Sequence, residues 1–105
     1  MEIIETTIFT RQVMELLTDD EYCQLQTALV LRPDMGPVIP GGGGLRKVRW
    51  TLPGKGKRSG VRIIYYWANI QKIILMLYIY AKKEQDDLTP AQKKALKKLI
   101  KEEFP

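Results

Sequence analysis

The sequence predicts an α+β fold: a small, mainly antiparallel twisted sheet with two N-terminal helices packed on one face and a C-terminal helix, in a single domain over residues 1–105. Three observations carry that expectation. Val61 to Ala68 and Ile73 to Ala81 are rich in β-branched and aromatic residues and are separated only by Asn69 to Lys72, which is a hairpin pattern at the heart of a sheet. Ile8, Phe9, Val13, Met14, Leu16 and Leu17 recur with helical spacing. Thr18 to Glu21 and Thr89 to Gln92 each fit the capping box, in which a threonine hydroxyl accepts from the third helical amide and the Glu or Gln reaches back.

Taken in order, Glu2 to Thr6 reads as a short first strand, followed by the first helix. A second helix starts at Asp19, presents Tyr22, Leu25, Ala28 and Leu29 on one side, and stops near Arg32, because Pro33 disfavours helical geometry in its predecessor. Pro33, Gly36, Pro37, Pro40 and the four glycines Gly41 to Gly44 form an irregular connection, read as an ordered crossing loop that delivers Leu45 into a strand. Leu45 to Leu52 alternates, so that Val48, Trp50 and Leu52 share one face and Lys47 and Arg49 the other. Leu88 to Phe104 is the closing helix, with Thr89 as cap and Pro90 at the first helical position, where a missing amide costs nothing. Its expected buried stripe is Ala91, Ala95, Leu96, Leu99 and Ile100, and Lys93, Lys94, Lys97, Lys98 and Lys101 form its outer face, read as a solvated surface in preference to a nucleic-acid contact.

Charge divides the chain. From Gly41 to Ala81 there are eight basic residues and no acidic one, whereas Met1 to Pro40 carries two basic against seven acidic. Seven of the eight cations (Arg46, Lys47, Arg49, Lys55, Lys57, Arg58, Arg62) fall within seventeen consecutive positions, a concentration suited to a polyanion. The chain has no histidine and one cysteine, so the commonest zinc ligand and the commonest general base are both missing, and Cys23 reads as a passive thiol. No metal or cofactor is expected, and the chemistry must use Lys, Arg, Tyr or carboxylates. The longest apolar run, Ile73 to Ala81, is far short of the ~20 residues a spanning helix needs, and the N-terminus lacks the pattern of a secretory signal. A cytoplasmic, soluble protein without membrane contact is expected.

The segment Gly54-Lys55-Gly56-Lys57-Arg58-Ser59 invites comparison with a phosphate-binding loop, but Arg58 stands where that motif needs a hydroxyl, and the segment joins two strands. A basic hairpin tip gripping a nucleic-acid backbone fits it better. Of Tyr65, Tyr66, Trp67, Tyr78 and Tyr80, only Tyr66 and Tyr80 are expected as surface aromatics able to stack on bases; the others belong to the core.

Gly44-Leu45-Arg46-Lys47-Val48-Arg49, Gly54-Lys55-Gly56-Lys57-Arg58, Arg62-Ile63-Ile64-Tyr65-Tyr66, Ile79-Tyr80-Ala81-Lys82-Lys83-Glu84 and Asp87-Leu88-Thr89 together resemble the HigB branch of the RelE-like toxins. The resemblance implies an endoribonuclease that cuts messages in the ribosomal A site, without metal, by attack of the ribose 2′-hydroxyl on the adjacent phosphate. It implies catalytic roles for Lys47, Arg49, Arg62 and Lys83, and RNA or ribosome contacts from Arg46, Lys55, Lys57, Arg58, Lys82 and Tyr66. The partners it implies are the ribosome, mRNA and a HigA-like helix-turn-helix antitoxin, through which alone operator DNA would be bound. Several relatives carry a tyrosine or histidine where Leu88 and Thr89 stand here, so the general base stays open between a lysine (Lys47 or Lys83) of lowered pKa and Tyr80. The competing expectation is a noncatalytic basic module that grips RNA or DNA. Composition suits both, because both need the same phosphate contacts. For the antitoxin, the acidic helices with Glu15, Asp19, Asp20 and Glu21 offer a docking surface that leaves the groove open.

Overall fold

The computed structural model describes residues 1–51 and 60–105. The predicted strand end at Leu52 and the basic loop with Lys55, Lys57 and Arg58 lie outside the described residues. In chain order the elements are β1 (Glu2–Glu5), α1 (Thr7–Leu16), α2 (Asp19–Leu31), β2 (Leu45–Trp50), β3 (Val61–Ala68), β4 (Ile73–Ala81) and α3 (Pro90–Glu103). The four strands form one sheet in the order β1-β4-β3-β2, in which β1 runs parallel to β4 and the other pairs are antiparallel. The α+β expectation is met, with the β3–β4 hairpin central.

Both predicted capping boxes are present, at Thr18/Glu21 and Thr89/Gln92, and Thr6 caps α1 by accepting from the Phe9 amide at 3.1 Å. Each cap satisfies an amide that the helix start leaves without a partner. The helices bury narrower stripes than the sequence suggests. In α1 only Phe9 and Val13 are buried, while Ile8 and Met14 are exposed. In α3 Leu96 and Ile100 are buried and Leu99 is half-buried, but Ala91 and Ala95 face solvent, correcting the five-residue stripe. An alanine adds little apolar area, so the larger leucine and isoleucine side chains decide which way the helix rolls.

Two apolar clusters lie on the two sides of the sheet. Phe9, Val13, Leu25 and Leu29 pack on Val48, Ile63, Tyr65, Ile74, Met76 and Ile79. Leu96 and Ile100 pack on Leu45, Ile64, Leu75, Leu77 and Tyr80. That Leu75, Leu77 and Tyr80 share a side breaks strict alternation. The cause is a register shift between Ile64 and Tyr65: these neighbours pair with Tyr78 and Met76, so Leu77 is passed over as a β-bulge. The bulge turns Tyr80 to the α3 side and puts Ile79 back on the α1 side.

The connection from Pro33 to Gly44 is an ordered crossing, as expected. Val38 bridges Arg46, the Ile39 amide donates to the Leu45 carbonyl at 2.8 Å, and the Lys47 amide donates to the Pro37 carbonyl at 3.1 Å. It ends at Gly44, whose φ of 103° and close approach to the Tyr66 ring, 2.7 Å from an added Cβ, exclude any larger residue.

Candidate active site

Strand pairing assembles the cations. Arg49 on β2 lies opposite Arg62 on β3, which lies opposite Tyr80 on β4; one row along, Lys47 lies opposite Ile64 and Ile64 opposite Tyr78. Residues directly opposite across strands share a face, and Lys47 and Arg49 are two apart on one strand, so all three cations are on the α3 side.

Arg62 sits at the centre of this group and is unusual in its burial, at 8 % exposed. Among the described residues its guanidinium makes one long bond, Nη1 to the Val61 carbonyl at 3.4 Å, and its Nε is buried with no hydrogen-bond partner. Native structures seldom leave a buried donor unsatisfied, and a guanidinium whose fork lacks a carboxylate is suited to an anionic ligand. Among the described residues no carboxylate pairs with it.

Lys47 is treated differently. Its ammonium pairs with the Asp87 carboxylate at 2.5 Å. The hydrogen bond and charge of Lys47, with smaller contributions from Arg49 and Lys93, hold the Asp87 carboxyl below the usual range. Asp87 belongs to the segment between β4 and α3 that crosses back over the sheet, and it is a site residue that the cation pattern gives no means of finding. Its neighbours are tied down. The Tyr80 hydroxyl donates to the Asp86 carbonyl at 3.2 Å, Gln85 Nε2 donates to the Asp87 carbonyl at 3.0 Å and to Gln92 Oε1 at 2.9 Å, and Gln92 Nε2 donates to the Tyr78 hydroxyl at 3.2 Å.

Tyr80 is 2 % exposed, which corrects the expectation of a surface aromatic. The bulge and the overlying segment bury it. Burial, and secondarily the Asp87 charge, push its phenol up to about 12 against an opposing pull from Arg62. It therefore keeps its proton near neutrality. Tyr66 is half-buried, stacked obliquely on Phe104 with centroids 5.4 Å apart and lying against Gly44.

The structure separates Arg46 from this group. Arg46 pairs with Tyr65 and so faces the α1/α2 side, where its guanidinium donates to the carbonyls of Gly36 at 2.8 Å and Asp34 at 3.3 Å. There it braces the crossing loop. Lys82 and Lys83 are exposed on the turn after β4; the Lys82 amide extends the β3–β4 ladder by donating to the Gly60 carbonyl at 3.0 Å, and the Glu84 amide closes the turn on the Ala81 carbonyl at 3.0 Å. Beside Lys47 and Arg49, where the crossing loop meets the outer edge of β2, Met35, Pro37 and Val48 line a cleft of about 440 Å³.

The open sheet thus gathers the buried, incompletely bonded Arg62 with Lys47 and Arg49 of the neighbouring strand on one face. The family model for the RelE toxin of the RelE/RelB toxin–antitoxin system matches residues 1–104. The chain belongs to the RelE toxin family and is the toxin of a toxin–antitoxin pair, with a cognate antitoxin as its partner. Among the described residues no helix is long and apolar enough to cross a membrane.

Proposed function

We propose that this toxin is an endoribonuclease of the HigB branch that cleaves translated messages in the ribosomal A site. In the reaction, a ribose 2′-hydroxyl attacks the adjacent phosphorus. The bond to the 5′-oxygen breaks, a 2′,3′-cyclic phosphate forms, and the hydroxyl proton is in balance with the one the leaving oxygen takes up. Charge accumulates on the non-bridging oxygens between these steps, and preorganised cations placed there lower the barrier. Arg62 is assigned that duty, and its unpartnered buried Nε is the observation that carries the reading. Arg49, opposite it, and Lys47, one row along, complete the charge field.

Lys47, paired with the Asp87 carboxylate, is assigned to charge stabilisation. Tyr80, protonated and bonded to the Asp86 carbonyl, is a positioning residue that fixes the segment bearing Asp87. Lys82, Lys83 and the loop cations Lys55, Lys57 and Arg58 are assigned to the RNA backbone, for which the run of positive charge is suited. The test is induction without antitoxin in a growing bacterium, followed by mapping of message ends. Growth arrest with new ends inside translated frames is expected. Normal growth and intact messages at verified expression would replace this reading with a noncatalytic RNA-binding module.

A further inference from the structure

The bulge in β4 is held by two side chains at the other edge of the strand. β1 ends at Glu5, opposite Met76, whereas β4 runs on to Ala81, so among the described residues no strand covers that edge of β4 past Met76. The chain that follows β1 covers it instead. The Thr6 amide donates to the Met76 carbonyl at 3.0 Å, and the Thr6 hydroxyl donates to the Leu77 carbonyl at 3.0 Å. On α1, the half-buried Gln12 accepts the Ile79 amide on its Oε1 at 3.2 Å.

Neither side-chain bond fits a regular strand. Neighbouring carbonyls of a strand point to opposite edges, so one threonine reaches both Met76 and Leu77 only because the extra residue turns the second carbonyl back. By the same count an unbulged β4 would present the Tyr78 amide at this edge, and the bulge presents that of Ile79. Thr6 and Gln12 therefore bind the bulged register. Its consequence lies in the cationic group. A regular ladder continued from the Tyr65–Met76 pair would set Ile79 opposite Arg62, and the bulge sets Tyr80 there instead. A slip of one residue would turn Tyr80 to the α1/α2 side. Its bond to the Asp86 carbonyl would go with it, and with that the seat of the segment whose Asp87 pairs with Lys47.

We propose that Thr6 and Gln12 are positioning residues for the cationic site: they clamp the bulge in the register that brings Tyr80 beside Arg62 and so fix the segment carrying Asp87. The inference rests on the endoribonuclease reading and deepens it, since α1 then governs the geometry of a site on the opposite face of the sheet.

The test is Gln12→Leu, which removes the acceptor, against Gln12→Glu, which keeps one. Tyr80 lies in the α3-side cluster with Leu96, so a nuclear Overhauser contact between the Tyr80 ring and the Leu96 methyls reports the register. Gln12→Leu should lose that contact in at least part of the population. Its single-turnover cleavage of ribosome-bound message should fall roughly tenfold or more, as misplacement of a site does, with the half-saturating ribosome concentration unchanged. Gln12→Glu should restore both. If Gln12→Leu fails to fold, Thr6→Asp takes its place: an aspartate still accepts from the Phe9 amide that Thr6 caps, but has no hydrogen to donate to Leu77. The same losses are expected, with Thr6→Ser as the rescue. A Tyr80 ring that stays against Leu96 in the variant overturns the proposal. So does a displaced ring with wild-type cleavage, or a loss that the conservative variant fails to restore. The Overhauser contact is read without RNA, so failure of the nuclease assignment would appear separately, as a wild-type protein that cuts nothing.

Discussion

The two faces of the sheet handle polar groups in opposite ways. On the α1/α2 face, among the described residues, the buried Tyr65 and the half-buried Arg46 and Tyr22 each find a partner inside the fold. The Tyr65 hydroxyl accepts from the Gly36 amide at 2.9 Å and donates to the Pro33 carbonyl at 2.8 Å, Arg46 braces the same loop, and Tyr22 donates to Glu5. On the α3 face Arg62 is almost as buried, yet its Nε has no partner. A satisfied network rigidifies a structure, and an unsatisfied cation keeps free energy available for a ligand. One face holds the protein together, and the other is the one proposed to receive an anion.

The largest test of that contrast is Arg62→Ala, which should lower single-turnover cleavage of ribosome-bound message by about 100 to 1000-fold, the usual cost of one lost oxyanion partner, with an unchanged circular dichroism spectrum. Full activity in the folded variant would return Arg62 to a structural role. Tyr65→Phe is the converse. It strands a buried amide and a carbonyl, so denaturant unfolding should show a loss of about 1–3 kcal/mol, while cleavage per folded molecule stays at the wild-type rate.

A smaller effect is expected from Asp87→Asn, because the carboxylate is 80 % exposed and its ion pair is screened by solvent. Thermal stability should hold. Freed from its counterion, Lys47 should take up a phosphate, steepening the salt dependence of RNA binding by roughly 0.7 units of slope. A slope equal to wild type would show that Lys47 does not meet the RNA.

The smallest effect lies outside physiological pH. Tyr80 has a folded pKa of about 12, raised above the ordinary tyrosine value of 10.0. Its contribution to stability is therefore fully present below pH 10 and declines as pH rises through 12. Tyr22 and Tyr65 are also pushed above the ordinary tyrosine range by burial, so ultraviolet titration should show several late phenolate transitions, of which Tyr80→Phe removes the one near pH 12. Ionisation of Tyr80 near pH 10 would mean that the segment above it is open.

Much of this architecture is legible because it is local. Alternation alone places Lys47 and Arg49 on one face, and Thr18 with Glu21 and Thr89 with Gln92 announce their helices, since capping involves residues three positions apart. The site is less so. Arg46 sits beside Lys47 in sequence and looks equivalent to it, but the same alternation sends it to the far side of the sheet. Tyr80 looks like a surface aromatic until the bulge at Leu77 and the segment carrying Asp86 are in place.

By itself, then, the sequence determined the elements, their caps, the polarised charge and the family, all of which are properties of neighbours or of composition. Tertiary structure alone decided that Arg62 is buried without a partner on its Nε, that Lys47 meets an aspartate forty positions away, and that α2 keeps an apolar side uncovered. Those facts depend on which distant segments come together. No local pattern encodes them, because pairing across a sheet and crossing over its face are fixed only when the whole chain has packed.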